Sequence, residues 1–313
     1  MAIARQSSGP QVTGAQANPT PAVLINPAAR ELGKENAILS ARGRRHHVHE
    51  FPGPLSIKTV VRGAAVWQTD AGRFEVDAGR LLILNDGRPY SLTVESESPV
   101  ETFCIFFRQG FVEGVHDVAS RPAGRLLDDP FGQPRQSLGF FERLHECDPK
   151  MHARFEAMRL AVARAAATPE WLEDKLIVTA FDLIALRGDV RREAARLPAV
   201  GAATRAELHR RLVRGRQFLD ESFTLPVRLA DAAEAACLSV FHFHRLFRQA
   251  FGETPQAYLT RRRLARAARL LRQTDRPVLA ISSDVGYRSL GAFSTLFRRR
   301  FDLSPRAFRK LGE

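Results

Sequence analysis

The sequence predicts an α+β protein in which a β-rich domain with flanking helices precedes an all-α domain. Short β-forming segments separated by turn residues lie between Leu55 and Phe107. The last third of the chain instead contains two similar helical segments, offset by 50 residues. With 313 residues, of which 44% are hydrophobic, the chain can form a separate core in each domain.

The first segment, residues 1–38, is rich in Ala, Pro, Gly, Gln and Asn, so we expect a disordered arm. It lacks the apolar stretch of a signal peptide, and no stretch of the chain approaches the ~20 apolar residues of a membrane span. Cys104, Cys147 and Cys237 are widely spaced and form no CxxC pair, which argues against a disulfide framework or a cysteine zinc site. These features predict a soluble, cytoplasmic protein without membrane partners.

The second segment, residues 39–187, begins with the β-forming runs IKTVV, AAVWQT, RFEV, RLLIL, YSLTV and ETFCIFF. The turn sequences DAG, DAG and NDG end at Gly72, Gly79 and Gly87, and glycine supplies the positive φ of tight hairpins. The runs therefore predict a small antiparallel sandwich or barrel.

Helical periodicity follows from about Leu138 to Leu186. In the last of these helices, apolar and small residues recur at intervals of three and four: Leu172, Leu176, Thr179, Leu183 and Leu186. This spacing suits packing against a second copy of the chain, and the alternative is that the face belongs to the domain's own core. In the first case Ile177, Phe181 and Ile184 would pack on the barrel, and in the second both faces belong to the core. Residues 188–204 lose the period and predict a linker.

The third segment, residues 205–313, contains an internal repeat. Ser239, Phe243, Leu246, Phe247, Arg248, Phe251, Pro255 and Ala257 recur as Ser289, Phe293, Leu296, Phe297, Arg298, Phe301, Pro305 and Ala307. Each copy has a short helix, a tight turn and a serine that can cap the next helix, which is the order of a helix-turn-helix. We expect these units at residues 229–250 and 278–300, joined by a long helix. Its apolar residues would pack on both units: Tyr258, Leu259, Leu264, Ala267, Leu270 and Leu271.

The charge of the protein is concentrated in this third segment. Residues 205–313 contain 22 Arg and Lys against 10 Asp and Glu, whereas residues 1–204 contain 25 against 24. A basic domain beside a near-neutral one is typical of nucleic-acid binding, although an Arg-rich surface could also reflect base composition. In the first unit Phe243, Leu246 and Phe247 should form the core. The opposite face would meet the major groove of double-stranded DNA through Val240, Phe241, His242, His244, Arg245 and Arg248.

These residues resemble the DNA-binding domain of the AraC/XylS family of transcription regulators over roughly residues 205–310. The second unit matches the family pattern GF…F…F…F..P..FR at Gly286, Tyr287, Phe293, Phe297, Phe301, Pro305, Phe308 and Arg309. The β-rich segment resembles the cupin-type sensor and dimerisation domain of the same family. The resemblance implies a homodimer controlled by an unknown small-molecule effector, with RNA polymerase as a further partner.

The resemblance also implies which side chains contact DNA. In the first unit these are Phe241, His244 and Arg245. In the second unit the helix capped by Ser289 would present Leu290, Gly291, Ser294 and Thr295, followed by Arg298. Two positions depart from the pattern: Cys237 stands where a turn glycine is usual, and Thr295 stands where Arg is common. Because the second helix presents short side chains, we expect the first unit to read sequence and the second to hold the phosphate backbone.

An enzymatic alternative rests on His47 and His49, which form the HxH of a metal-binding cupin. The later Glu is absent, Gly53 and Pro54 being found there, and Leu82 replaces the His of the second cupin motif. Two secure ligands are too few for such a site. We therefore expect no catalytic residue, metal or cofactor, with a cupin metallo-enzyme as the alternative. A nucleoid-type protein that binds DNA without sequence preference is a third reading.

Overall fold

The computed structural model describes residues 23–120, 138–198 and 201–310. Its strands form a single mixed sheet in the order β1-β2-β7-β3-β6-β8, with β4 pairing to both β5 and β7. The strands are β1 (Val23–Ile25), β2 (Asn36–Gly53), β3 (Ser56–Arg62), β4 (Ala64–Thr69), β5 (Gly72–Asp77), β6 (Arg80–Leu84), β7 (Arg88–Phe106) and β8 (Leu144–Glu146). Strand β1 pairs parallel to β2, so the sheet includes residues that the sequence assigned to the arm. Residues 1–22 of that arm lie outside the described residues.

The sheet curls around an apolar interior. Strands alternate between this interior and the other face, as Phe74 and Val76 of β5 and Leu82 and Leu84 of β6 show. Trp67 of β4 fills the same interior and is fully buried. The predicted antiparallel barrel is thus observed, with β1 as a parallel addition at its edge.

Three helices cover the other face of the sheet: α1 (Phe111–Ser120), α2 (Pro149–Ala163) and α3 (Pro169–Ala195). In α3, Leu172, Leu176 and Leu183 are buried among sheet and helix residues of the same domain. The expectation that this face pairs two protomers is therefore wrong, and the core alternative is correct. Phe181, expected on the barrel, is 46% exposed. The leucine face is the more continuous of the two, so burying it removes more apolar area from water.

The predicted linker is shorter than expected. Helix α3 continues to Ala195 because Val190 is buried and Glu193 accepts two hydrogen bonds from Arg143, at 2.6 and 3.0 Å. The next helix begins at Ala202. The helices of the C-terminal domain are α4 (Ala202–Glu221), α5 (Leu229–Ala235), α6 (Val240–Phe251), α7 (Pro255–Gln273), α8 (Val278–Asp284), α9 (Leu290–Phe301) and α10 (Pro305–Lys310). No helix in the described ranges is long and apolar enough to cross a membrane.

The C-terminal domain has two small cores connected by α7. The first unit, α5 and α6, packs with α4 around Phe243, Phe247 and Tyr258. The second unit, α8 and α9, packs around Phe293 and Phe297 on the later part of α7 and on α10. Helix α7 contributes Tyr258 to the first core and its later apolar residues to the second, so it holds both units as the sequence predicted.

Candidate DNA-binding surface

Helix α6 presents one face to the core and the other to solvent. Ser239 caps it by accepting a hydrogen bond from the backbone N–H of His242 at 3.4 Å. The helix ends at Gly252, whose φ of +78° is the left-handed conformation that favours glycine. The six side chains predicted to face DNA are all exposed: Val240, Phe241, His242, His244, Arg245 and Arg248. Phe241 is 79% exposed, which is unusual for an aromatic residue with only a structural role.

Helix α9 is capped by a serine and has one exposed face, like α6, but its exposed side chains are different. Ser289 caps it by accepting from the backbone N–H of Ala292 at 3.3 Å. Leu290, Gly291, Thr295 and Arg298 are exposed and Ser294 is half-buried. Ser289 itself is occupied by its cap, so it contributes the shape of the helix start. The exposed surface begins with short side chains and ends in the cationic run Arg298 to Arg300.

The turns of the two units differ in a way that the sequence partly predicted. Cys237 has a φ of +51°, and Gly286 has a φ of +87° at the corresponding point of the second turn. A left-handed conformation is strained for a residue with a side chain. The departure at Cys237 therefore imposes strain that the second turn avoids.

The second turn is one residue longer than the first. The N–H of Cys237 bonds the carbonyl of Glu234 and that of Gly286 bonds Ser283, so these positions correspond at an offset of 49. The capping serines correspond at an offset of 50. The additional residue is Arg288, which is exposed directly before Ser289. Sequence reasoning missed Arg288 because it aligned both units at one offset.

Gly286 also holds the second unit close to the first. A Cβ at this position would lie 2.9 Å from the carbonyl oxygens of both Phe223 and Thr224. Gly215 of α4 plays a similar part in the first unit, because a Cβ there would lie 2.4 Å from the ring of Phe243. Both glycines permit a close approach of backbone to its neighbours. Helices α6 and α9 are therefore fixed on a closely packed support.

Several arginines of α7 do not belong to the candidate surface. Arg262 is 2% exposed and donates to Asp220 at 2.8 Å, and Arg269 donates to Asp77 of the N-terminal domain. Arg80 joins both carboxylates, at 3.0 Å from Asp77 and 3.1 Å from Asp220. We call these five residues the interdomain cluster. The sequence assigned the basic charge of this segment to DNA, and its pattern gives no signal of which arginines meet carboxylates far away in the chain.

The barrel interior contains a buried amine that the sequence analysis also missed. Lys58 of β3 is 1% exposed, and its Nζ lies 3.0 Å from the hydroxyl of Tyr90 and 3.7 Å from the ring centroid of Phe106. Burial lowers the pKa of Lys58 to about 7. In the described part of the chain, no carboxylate forms an ion pair with it. The run IKTVV gave no reason to expect a lysine pointing inward.

The histidines of the HxH sequence lie on the surface of β2. His46, His47 and His49 are exposed, and Nε2 of His47 lies 3.6 Å from Oε1 of Glu95. Within the described ranges, no three His, Cys, Asp or Glu side chains are grouped so that they could hold a metal ion. The arrangement offers no support for the metallo-enzyme alternative.

Comparison with known proteins identifies both domains. An AraC-like ligand binding domain matches residues 37–164, and a helix-turn-helix domain matches residues 232–311. The chain belongs to the AraC/XylS family of transcriptional regulators. The first range covers most of the barrel domain, and the second covers almost all of the two units with α7 between them, so the family resemblance of the sequence is confirmed.

Curated relatives of this family member are similar to it over about 30% of its length. The HTH-type transcriptional activator RhaS of Enterobacter sp. (strain 638) is 42% identical over 93 residues, which are 30% of this chain and 34% of RhaS. RhaS of Salmonella schwarzengrund (strain CVM19633) is 43% identical over the same length. The chain thus spans about a third of the length of these curated relatives.

Solved structures include both partial and full-length matches. The C-terminal domain of AraT from Geobacillus stearothermophilus is 30% identical, with a TM-score of 0.31, and the match covers 32% of this chain and 84% of that domain. ToxT from Vibrio cholerae O395 is 12% identical, with a TM-score of 0.34, covering 88% of this chain and 97% of ToxT.

Proposed function

We propose that this AraC/XylS family member is a sequence-specific regulator of transcription that inserts α6 and α9 into successive major grooves of one DNA site. The observation that carries the proposal is the pair of serine-capped helices whose outward faces are uncovered while their inward faces are held by α7. A major groove admits one helix, and successive grooves on one side of the duplex are about 34 Å apart. A packed connecting helix is suited to fixing such a spacing.

The experiment is selection of duplexes by the full chain from a randomised pool, followed by affinity measurements at increasing salt. We expect enrichment of a bipartite motif whose halves are about one helical turn apart. The logarithm of the affinity should fall with the logarithm of the salt concentration, with a slope near −0.9 per phosphate contact. Retention of DNA without any enriched sequence would instead favour a nonspecific nucleoid-type protein, and absence of binding would contradict the proposal.

We further propose that the protein activates transcription. Activation is expected because the RhaS proteins are described as transcriptional activators, with contact to RNA polymerase as the means. Action on the chromosome implies a cytoplasmic location. The N-terminal domain is proposed to bind a small molecule rather than to transform one, since the histidines of its HxH sequence are exposed and no three His, Cys, Asp or Glu side chains of the described residues are grouped to hold a metal ion.

A homodimer is proposed through the outer face of α3. Val178 and Phe181 are 43% and 46% exposed on the side opposite the buried leucines, and exposed apolar patches often mark protein interfaces. Phe181→Glu should give monomers that still fold, as measured by sedimentation. A monomeric unmodified protein across the micromolar range, with and without DNA, would contradict the proposal.

We propose that the effector binds in the barrel and carries an anionic group that pairs with Lys58. An unpaired buried ammonium is costly, and an anion on the ligand would offset that cost. Lys58→Met, which keeps the volume and removes the charge, should raise the melting temperature of the free protein. It should also abolish the thermal shift that small apolar carboxylates produce in the unmodified chain. Equal shifts in both proteins, or none in either, would contradict the assignment.

A further inference from the structure

The interdomain cluster joins the barrel to the helix that holds both DNA-binding units. Asp77 ends β5 and Arg80 begins β6, so both lie at the short turn that connects these two strands. Arg80 donates Nε to Asp77 at 3.0 Å and Nη1 to Asp220 of α4 at 3.1 Å. From α7, Arg262 donates to Asp220 at 2.8 Å and Arg269 donates to Asp77. Each carboxylate is therefore held by arginines of both domains.

The contact is buried and its charges are unequal. Asp77, Arg80 and Arg262 are 2–3% exposed, and Arg266 places a further guanidinium 4.0 Å from Asp77. Burial alone would raise the pKa of Asp77, but the surrounding arginines hold it well below its usual value. Two carboxylates thus compensate four guanidinium groups. Loss of either carboxylate would leave buried cations without a counter-charge, which is strongly unfavourable.

The two strands on either side of this turn form part of the barrel wall. Phe74 and Val76, just before Asp77, and Leu82 and Leu84, just after Arg80, line the apolar interior. A ligand that displaces these side chains would shift Asp77 and Arg80, because only a few residues along the chain separate them. The segment from Phe74 to Leu84 therefore reaches from the interior to the domain contact.

On the other side, the cluster reaches the first unit directly. The hydroxyl of Tyr258 donates to Oδ2 of Asp220 at 2.6 Å and accepts from Nε of Arg216 at 3.1 Å. The ring of Tyr258 packs against Phe247 of α6, with centroids 5.8 Å apart. The cluster thus fixes α4 and α7 against each other behind the first recognition helix.

We propose that the β5–β6 turn couples the barrel to DNA binding, and that docking of Asp77 and Arg80 on α4 and α7 is the DNA-binding state. The direction follows from the docked arrangement, in which the outward faces of α6 and α9 are uncovered. Docking holds α7, and with it both units, so less ordering remains when DNA binds. A ligand in the barrel acts by favouring or opposing this contact. The inference rests on the proposed function for its DNA readout.

The experiment compares variants of the full chain by calorimetry and by affinity for a duplex that the unmodified protein selects from a randomised pool. The variants are Asp77→Asn, Arg269→Met and their combination. Asp182→Asn is the control, because Asp182, a half-buried carboxylate, is likewise paired with an arginine, Arg154, but within the N-terminal domain. Calorimetry reports docking without DNA, since docked domains unfold together and separate domains unfold independently.

We expect Asp77→Asn to bind the duplex at least about tenfold more weakly and to unfold in two transitions. Arg269→Met should weaken binding about threefold, and the combination should be no weaker than Asp77→Asn alone because the two residues are partners. Asp182→Asn should behave as the unmodified chain. If Asp77→Asn fails to fold, Arg269→Met is the variant that tests the inference.

A single unfolding transition together with unchanged DNA affinity in Asp77→Asn would overturn the inference. If Asp77→Asn does not fold, the same result in Arg269→Met would overturn it. Strictly additive effects of Asp77→Asn and Arg269→Met on affinity would also contradict it. Failure of the unmodified chain to select any sequence would contradict the proposed function instead, while the calorimetric comparison would still test docking.

Discussion

The two helix-turn-helix units share a core pattern but differ at the points where they meet other parts of the molecule. Phe243 and Phe247 of the first unit are fully buried, as are Phe293 and Phe297 of the second. Tyr258, which closes the first core, corresponds to Phe308 in the second. Only the tyrosine has a hydroxyl, and that hydroxyl binds Asp220. The shared residues therefore specify the fold of each unit, and the residues that differ determine which neighbouring parts of the molecule the unit contacts.

The outward faces differ more than the cores. The first unit exposes Phe241, His244 and Arg245, which can make methyl contacts and hydrogen bonds to base edges. The second exposes Leu290, Gly291 and Thr295 ahead of an arginine run, which is suited to phosphate. A single duplicated scaffold can thus carry two kinds of DNA contact.

The largest expected effect concerns the turn of the second unit. Gly286→Ala should lower the free energy of unfolding by about 3 kcal/mol, because a Cβ would add left-handed strain and meet two carbonyl oxygens. Chemical denaturation measures it. The matched control is Gly252→Ala, where φ is +78° but nothing lies within 4 Å of the new Cβ. It should cost about 1 kcal/mol. Equal losses of stability in the two variants would mean that the close approach at Gly286 does not contribute to the cost of the substitution.

An intermediate effect should follow from making the first core like the second. Tyr258→Phe removes the hydroxyl between Asp220 and Arg216 and leaves the ring packing intact. Hydrogen bonds to charged groups contribute ~1.5–3 kcal/mol, so we expect a loss of about 2 kcal/mol in thermal or denaturant unfolding. A neutral substitution would show that the hydroxyl does not stabilise the contact between α4 and α7.

The smallest effect should be a gain in stability. Cys237→Gly relieves the strain of a side chain at a φ of +51° and makes the first turn like the second. Glycine also gives the unfolded chain more conformational entropy, which offsets part of this gain. The net stabilisation should therefore be about 0.5 kcal/mol. Melting curves at matched salt measure it, with Cys237→Ala as the control that keeps a Cβ. Greater stability of the alanine variant would contradict the strain argument.

The sequence predicted the elements whose signal is local. The capped helices at Ser239 and Ser289 depend on residues three or four positions apart. The family resemblance, rather than local spacing, marked Cys237 as a turn position where glycine is usual. In α3, the spacing revealed an apolar face but not its partner, because Leu176 and Leu183 suit a core and a dimer equally well.

The elements that were missed depend on contacts between distant residues. Asp77 and Arg269 are 192 positions apart and form an ion pair. Nothing near Asp77 in the sequence separates it from the acidic residue of an ordinary hairpin turn. Arg262 stands in a run of three arginines, and only the fold decides that it is buried while others of the domain remain exposed. The net charge summed over this segment therefore overstates the number of arginines that are available to bind DNA.

The division of labour between the two units is tested most directly by affinities of two variants over a randomised pool built on the selected site. We predict that Arg245→Ala costs ~1–3 kcal/mol on the preferred sequence and relaxes preference at one base pair. Arg298→Ala should weaken all sequences about equally and reduce the salt slope by about one phosphate contact. Unchanged preference in Arg245→Ala together with lost preference in Arg298→Ala would contradict the account and reverse the roles of the two units.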